Sequence, residues 1–508
     1  VPRADARRVS GSRRGRRTWC AAALGLAAVC CAPAAQPPRL PSVLILTLDT
    51  TRADHLGAFG YFRDTSPEID ALAGESIVFD AALAPMATTL PTHVSVFTGT
   101  DPLEHGVLAN TTQGGQRFVP APQLRPAAAI AGEVGYATAA FVSAAPLKRG
   151  SGVEAGYSTF DEPEEKHRPA TGTIDAAIAW LEANGDAPFF LWVHLYDAHW
   201  PYAAPPPYDR LFATDAALEA WIAERRIPER AFRPLVGTTD EARPTINAYD
   251  GAIRYQDAEV GRLLRWVRDA GRWDSTAILL LGDHGEGLGQ HDEIAHGGSW
   301  NEQLHAPLLM KIPGQPPRRI AAPVSLVDAM PTFLARLAVP GLALPEGQPS
   351  GRDALADAAA AAILSQDTGR ERAGPHRFAL RAGPWKYFRI EDREGGIRDA
   401  LYHLESDPFE LQDVAARHPE RTAALRRAVE AQTRALAARG EVLRAGRPAE
   451  TRPLAPELQQ QLEALGYAAG SAPPAQAGVA PVPEVERSSA SPTATRSSPN
   501  PTAGGASR

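Results

Sequence analysis

Ser42-Val43-Leu44-Ile45-Leu46-Thr47-Leu48, followed at once by Asp49-Thr50-Thr51-Arg52, is an almost unbroken apolar run that ends abruptly at an acid. A strand with one wet face alternates apolar and polar residues, whereas a continuous run of this length suits a strand buried on both faces. Two further runs repeat the pattern. FFLWVH at 189–194 leads into Leu195-Tyr196-Asp197-Ala198-His199, and TAILLL at 276–281 leads into Gly282-Asp283-His284-Gly285. Helical periods separate them. Ile174, Ala177, Ile178 and Leu181 follow i, i+3, i+4, i+7 spacing, with Thr173 as the expected N-cap and Gly185 as the C-cap. Ile253, Val260, Leu263, Leu264 and Val267 form a second, longer apolar face. Strands alternating with helices predict an α/β fold with a mostly parallel sheet covered on both sides, and such sheets place their sites beyond the C-terminal strand ends.

Working outward, the composition removes several kinds of chemistry. The chain has 508 residues, 44% hydrophobic and 22% charged, which fits neither a polytopic membrane protein nor a wholly disordered chain. Its three cysteines, Cys20, Cys30 and Cys31, all lie near the start, so a disulfide framework, a thiolate zinc site and a cysteine nucleophile in the body are excluded. A metal site must then use carboxylate, imidazole and hydroxyl oxygen. The net charge of −7 hides seven arginines against one acid in residues 1–34, so the remainder carries −13. An acidic body argues against nucleic acid as a partner, because phosphate neutralisation needs a basic surface.

The arginines at 13–17 precede an uncharged Ala/Leu/Cys-rich stretch at 18–35 that contains Ala32-Pro33-Ala34. We read residues 1–35 as a secretory signal peptide, with membrane anchoring through this segment as the alternative, and expect an exported protein that is periplasmic, envelope-attached or secreted. Residues 468–508 are rich in Ala, Pro, Ser, Gly and Thr and contain no Leu, Ile or aromatic residue, which predicts a disordered tail. Residues 441–467 read as a helical extension.

The strand ends carry the chemistry. Singly, Asp49 could cap a turn, Asp283 a helix, and His199 could be a half-buried imidazole. Jointly, three strands delivering carboxylate and imidazole to one sheet edge suit a divalent ion such as Mn, Zn, Ca or Mg. His194, Asp197, His199 and His296 leave room for a second ion without a decisive spacing. The Gly-rich run at 285–289 lacks the dinucleotide fingerprint, and His291 and His296 lack zincin spacing.

LDTTRADHLG (48–57), TLPTHVSVFTG (89–99), HGV (105–107), GYAT (135–138), YDGAIRYQD (249–257), GDHGE (282–286) and LYHLESDPFEL (401–411) occur in the order found in the sulfatase family of the alkaline phosphatase superfamily, which the chain resembles over roughly 41–440. The resemblance implies an alkaline-phosphatase-like α/β/α sandwich at 41–345 and a smaller C-terminal α+β subdomain at 346–440, with strands around 377–390 and 401–411. It also implies hydrolysis of a sulfate or phosphate ester on a small molecule, glycan or lipid.

The chain departs from the sulfatase pattern where the nucleophile belongs. The family forms formylglycine from Cys or Ser in C/S-x-P-S/T-R, but this chain reads Thr89-Leu90-Pro91-Thr92-His93, so no formylglycine is expected and His93 replaces a supporting Arg at the substrate. The Lys and His of G-K-W-H-L-G are absent from AAFVSAAP, the run that follows Thr138. His296 stands where a sulfate-contacting Lys would be.

What remains is similar to the superfamily's phosphodiesterases and headgroup transferases, in which an unmodified Thr is the nucleophile. That similarity implies Asp49, Thr89, Asp283 and His284 as metal ligands and Thr89 as the catalytic nucleophile, while His199 and His296 are the catalytic groups whose chemistry suits donating to the ester oxygens or protonating the leaving group. Asn110, 21 residues after Thr89, is implied as an oxyanion-binding group. Thr50 in place of a second Asp favours Zn or Mn over Ca or Mg. A phosphoethanolamine- or phosphoglycerol-type transferase and a non-catalytic binding protein with a degenerate site are the alternatives.

Overall fold

Strand β1 (Ser42–Leu48) lies inside an eight-stranded sheet with all seven residues buried. The computed structural model describes residues 40–112, 114–212, 239–356, 362–367, 376–392 and 394–467. The leader and the Ala/Pro/Ser-rich tail, on which the signal-peptide and disorder expectations fall, lie outside them. No helix among the described residues is long and apolar enough to cross a membrane.

The other strands of this sheet are β2 (Ile77–Phe79), β3 (Ala137–Phe141), β4 (Thr159–Asp161), β5 (Phe189–Leu195), β6 (Thr276–Gly282), β7 (Leu308–Lys311) and β8 (Arg318–Ile320). Their spatial order is β8-β2-β7-β6-β1-β5-β3-β4. Strands β6, β1, β5, β3 and β4 run parallel, while β7 is antiparallel to both neighbours. The three apolar runs of the sequence are thus adjacent central strands. In register, Leu48 is level with Leu195 on one side and Gly282 on the other, so Asp49 and Asp283 leave the sheet at the same height.

The period of two along β1 divides the core. Val43 and Ile45 join one cluster with Leu90, Val94 and Phe97 of α1 (Thr89–Thr98) and with α2 (Ala127–Val134). Leu44, Leu46 and Leu48 join the other with Ile174, Ala177 and Leu181 of α3 (Ala170–Asn184) and Val260, Leu263 and Val267 of α4 (Thr239–Asp269). Each fully buried large apolar side chain contributes about 1.5–3 kcal/mol, which is why the unbroken apolar runs sit between two helical layers.

Helix α3 begins at Ala170, three residues before the Thr173 cap expected from local sequence. The carboxylate of Asp197, from the loop after β5, accepts from the Ala170 N–H at 3.1 Å, and the Thr173 hydroxyl pairs instead with Ser143 Oγ at 2.7 Å. The cap comes from 27 residues away, which no local motif reveals.

Beyond the large sheet, β9 (Ile363–Gln366), β10 (His376–Ala382), β11 (Trp385–Glu391) and β12 (Ile397–His403) form an antiparallel sheet against α5 (Pro419–Leu443). The run at 401–411 is strand only to His403. It then turns, and Glu410, at φ +53°, reaches back to Lys386 Nζ at 2.7 Å and to the Asn301 N–H at 2.8 Å, bracing the loop that carries His291 and His296. The segment expected as a helical extension also contains a strand. Glu450–Pro453 pairs antiparallel with Gln116–Val119, and α6 (Pro456–Ala464) follows.

Candidate functional site

Asp49 and Asp283 emerge from neighbouring strands with no exposed surface, and each commits one carboxylate oxygen to the protein. Asp49 Oδ2 lies 3.2 Å from His194 Nε2, and because His194 Nδ1 accepts from the Ser143 N–H, Nε2 is the ring's donor to Asp49. Asp283 Oδ1 accepts from the backbone N–H groups of Thr50 at 3.1 Å and His284 at 2.8 Å. The remaining oxygens, Asp49 Oδ1 and Asp283 Oδ2, are buried without a hydrogen-bond partner. His284 Nδ1 lies 2.9 Å from the Gly285 carbonyl and therefore carries the proton, which turns the lone pair of Nε2 toward Asp283 Oδ2, 3.4 Å away. Thr89, the first residue of α1, brings a buried hydroxyl to the same point, facing Asp49.

Two carboxylates taken out of water and set beside each other resist ionisation. Burial pushes Asp49 up to about 7, and burial with the Asp49 charge pushes Asp283 up to about 8. Acceptor atoms that converge in a buried interior need a proton or a cation between them. Oxygens of Asp49, Asp283 and Thr89 with one imidazole nitrogen suit a divalent metal, and among the described residues Asp49, Asp283 and His284 are the one such acidic and imidazole cluster, their ligand atoms within 4.8 Å.

Around this centre the expected residues separate into groups at the site and groups beneath it. His93 is completely buried in α1, with Nδ1 2.8 Å from the Thr89 carbonyl and Nε2 3.0 Å from Thr47 Oγ1. Burial lowers its pKa to about 3, so it is a neutral prop under Thr89, not the substrate-facing group that its place in the motif suggested. Asn110 Oδ1 accepts from the Leu90 N–H at 2.8 Å, which fixes the amide and leaves its buried NH2 without a partner beside the start of α1. His199 Nδ1 donates to the Trp200 carbonyl at 2.8 Å, so Nε2 accepts from the Tyr467 hydroxyl at 2.9 Å, and burial depresses this imidazole to about 3. His296 lies with Nδ1 3.4 Å from Glu286 Oε1 and Nε2 3.4 Å from the Tyr467 hydroxyl.

The groups considered for a second ion are otherwise engaged: His194 holds Asp49, Asp197 caps α3, and His199 and His296 flank Tyr467. Two contributors escaped the sequence. Glu286, pushed up to about 7 by burial, closes the GDHGE motif, whose spacing assigns it no role, and Tyr467 lies in no motif at all. A cavity of about 270 Å³ lined by His167, Arg168, Thr171, Tyr196, Asp197 and His199 reaches the site only at His199 and touches none of the four donors. The larger cavity, about 400 Å³ beside Arg52 and His291, touches none of the four donors.

Residues 41–339 match the family model described as Sulfatase. The chain belongs to the Sulfatase family. Among curated relatives, the ulvan-active sulfatase of Formosa agariphila is 24% identical over 346 residues, covering 61% of this chain and 63% of that protein. Arylsulfatase K of Bos taurus is 30% identical over 290 residues, covering 49% and 52%. The chain thus spans less than two thirds of either relative. The solved phosphonate monoester hydrolase of Agrobacterium radiobacter shares the fold with a TM-score of 0.59 at 24% identity, covering 79% of this chain and 96% of that one.

In this Sulfatase-family chain the YDG motif at 249–251 anchors the loop that follows Asp49. The Tyr249 hydroxyl donates to the Thr50 carbonyl at 2.6 Å and accepts from the Arg52 N–H at 2.9 Å, holding Thr50 at φ +50°. Asp250 receives His55, Tyr61 and Arg63, and a Cβ on Gly251 would stand 2.3 Å from the Tyr208 carbonyl oxygen. Tyr249→Phe leaves two buried backbone groups unsatisfied and is expected to destabilise the fold by about 2–4 kcal/mol in urea unfolding.

Proposed function

We propose that this chain is a divalent-metal-dependent hydrolase of sulfate, phosphate or phosphonate esters in which unmodified Thr89 is the nucleophile. The observation that carries the reading is the convergence of lone pairs from Asp49, Thr89, Asp283 and His284 in a dry pocket at the strand ends. A cation of the Zn or Mn type held by these four would lower the proton affinity of the threonine hydroxyl and offset charge on the ester oxygens.

The chain's own groups supply the remainder. Strand ends and α1 fix Thr89, with His93 gripping its carbonyl from below. In the first step Thr89 Oγ gives up its proton and bonds to sulfur or phosphorus as the bond to the leaving oxygen breaks, and the alcohol departs with one proton; in the second, the oxygen of water bonds to sulfur or phosphorus, a proton returns to Thr89 Oγ, and free sulfate, phosphate or phosphonate leaves. The Asn110 NH2 is placed to donate to the anionic oxygens beside the start of α1, and His296 stands at the same edge for the leaving oxygen. His199, held neutral with its proton on Nδ1, presents an acceptor instead of an acid in this state. The cavity beside His199 gives the alcohol portion a place to lie. The leader composition supports export.

Metal analysis of the purified protein, together with nitrophenyl sulfate, phosphomonoester, phosphodiester and phosphonate substrates, tests the reading. We expect close to one divalent ion per chain and chelator-sensitive turnover of at least one ester. A metal-binding chain that turns over none of them refutes the hydrolase assignment. Mass spectrometry of the peptide spanning Thr89 is expected to give the unmodified threonine mass.

A further inference from the structure

We propose that Tyr467, carried on the C-terminal clamp formed by 450–467, belongs to the substrate-binding machinery and donates its phenol hydrogen bond to the anionic oxygens of the ester. The proposal rests on the reading of the site as an ester-binding centre and adds to it a group from the far end of the chain.

Tyr467 is buried, and its hydroxyl sits 2.9 Å from His199 Nε2, 3.4 Å from His296 Nε2 and next to the Thr89 hydroxyl. A phenol has one proton to donate. His199 Nε2 is an acceptor because Nδ1 is bound to the Trp200 carbonyl, so without substrate that proton points at His199. An anionic oxygen arriving beside Thr89 is a stronger acceptor than a neutral imidazole, and a charge-assisted bond from the phenol replaces the weaker one. Asn110 NH2 approaches from the opposite end of the same dipeptide. Asn110 holds the Leu90 N–H, and the adjacent Thr111 hydroxyl holds the Tyr467 carbonyl at 2.5 Å. One turn of backbone therefore sets the nucleophile and the phenol relative to each other.

The ties on the clamp make it part of the fold, not a plug that must leave. Glu450–Pro453 adds a strand to Gln116–Val119, Gln461 accepts from Lys148 Nζ at 2.8 Å, and Leu462, Leu465 and Tyr467 pack on Ala144, Ala145 and Tyr196. The packing surface has its own meaning. Ala144 and Ala145 belong to AAFVSAAP, the run where the resemblance leads one to expect Lys and His, and the small side chains there leave the space that Tyr467 and its neighbours fill. The donor lost from one segment is replaced by a donor from another.

Tyr467→Phe in the full metal-loaded chain removes the proton and keeps the ring. Its affinity for orthovanadate by calorimetry is expected to fall roughly 10- to 100-fold, and kcat/KM to fall by a similar factor, with an unchanged melting temperature. Thr111→Val, which loosens the Tyr467 backbone while keeping the phenol, is expected to give a smaller loss of vanadate affinity in the same direction. Wild-type vanadate affinity and kcat/KM in Tyr467→Phe overturn the proposal, and so does faster turnover, which would mark the phenol as an obstruction. Absence of ester turnover by the wild-type chain counts against the proposed function instead, and vanadate binding still reports on Tyr467 in that case.

Discussion

Thr89→Ala is expected to lower turnover of the best ester substrate by at least about 10⁴-fold while leaving the folded protein intact. The scale follows from nucleophile deletions in enzymes that work through a covalent intermediate, where residual activity comes from binding alone. The fold tolerates the change because Thr89 contributes its backbone to α1, its carbonyl accepts from His93, and its side-chain oxygen has no hydrogen-bond partner among the protein's own groups. Thr89→Ser, which keeps a hydroxyl at the same atom, should retain measurable turnover. Wild-type rates from the alanine variant would remove Thr89 from the chemistry, and an anion trapped on the wild-type threonine during turnover, seen as a mass increase on its peptide, would place it there.

The second large effect concerns the metal. Asp283→Asn keeps an oxygen for the Thr50 and His284 N–H groups but replaces the inward oxygen with an NH2 that cannot bind a cation. Metal content measured by plasma mass spectrometry is expected to fall at least about 10-fold, and kcat at least about 10³-fold. The stability of the metal-free chain should move the other way. Burial raises Asp283 from 3.8 to about 8, so the folded state binds its proton more tightly than the unfolded chain does. The contribution of Asp283 to metal-free stability is then fully present below about pH 4 and is lost as pH rises toward 8, with Asp49 adding in the same direction. The neutral asparagine removes the Asp283 contribution, so the metal-free variant should melt higher than metal-free wild type at pH 8. Metal at 100 times its dissociation constant stabilises the wild type by about 2.7 kcal/mol and should do nothing for the variant.

The large sheet was legible because buried parallel strands have to be apolar throughout: β1, β5 and β6 stand out in any reading, and the residues immediately beyond them became metal-centre candidates by position alone. Asp49 and Asp283 required nothing more than knowing where such sheets keep their sites, whereas His284 is singled out as a ligand by the family resemblance. The parts that stayed hidden depend on contacts between distant segments. Asp197 capping α3 replaced a local cap that looked adequate, and His93, read from its place beside the nucleophile, faces inward because the period of a helix turns residue i+4 back over residue i. Tyr467 carries no local signal: a tyrosine after Leu465-Gly466 at the end of an amphipathic turn reads as a helix terminus, and only the tertiary fold brings it to Thr89.

Pairing of the clamp with Gln116–Val119 ties the site to a segment beyond the residues that the family match covers. The Thr111–Tyr467 bond joins residues separated by 356 positions, so it closes a loop that spans most of the described chain. The candidate metal donors Asp49, Thr89, Asp283 and His284 all precede the clamp and lie within the residues that the family match covers. A recombinant fragment ended at residue 440 would therefore carry every candidate donor to a cation while lacking the Tyr467 hydroxyl.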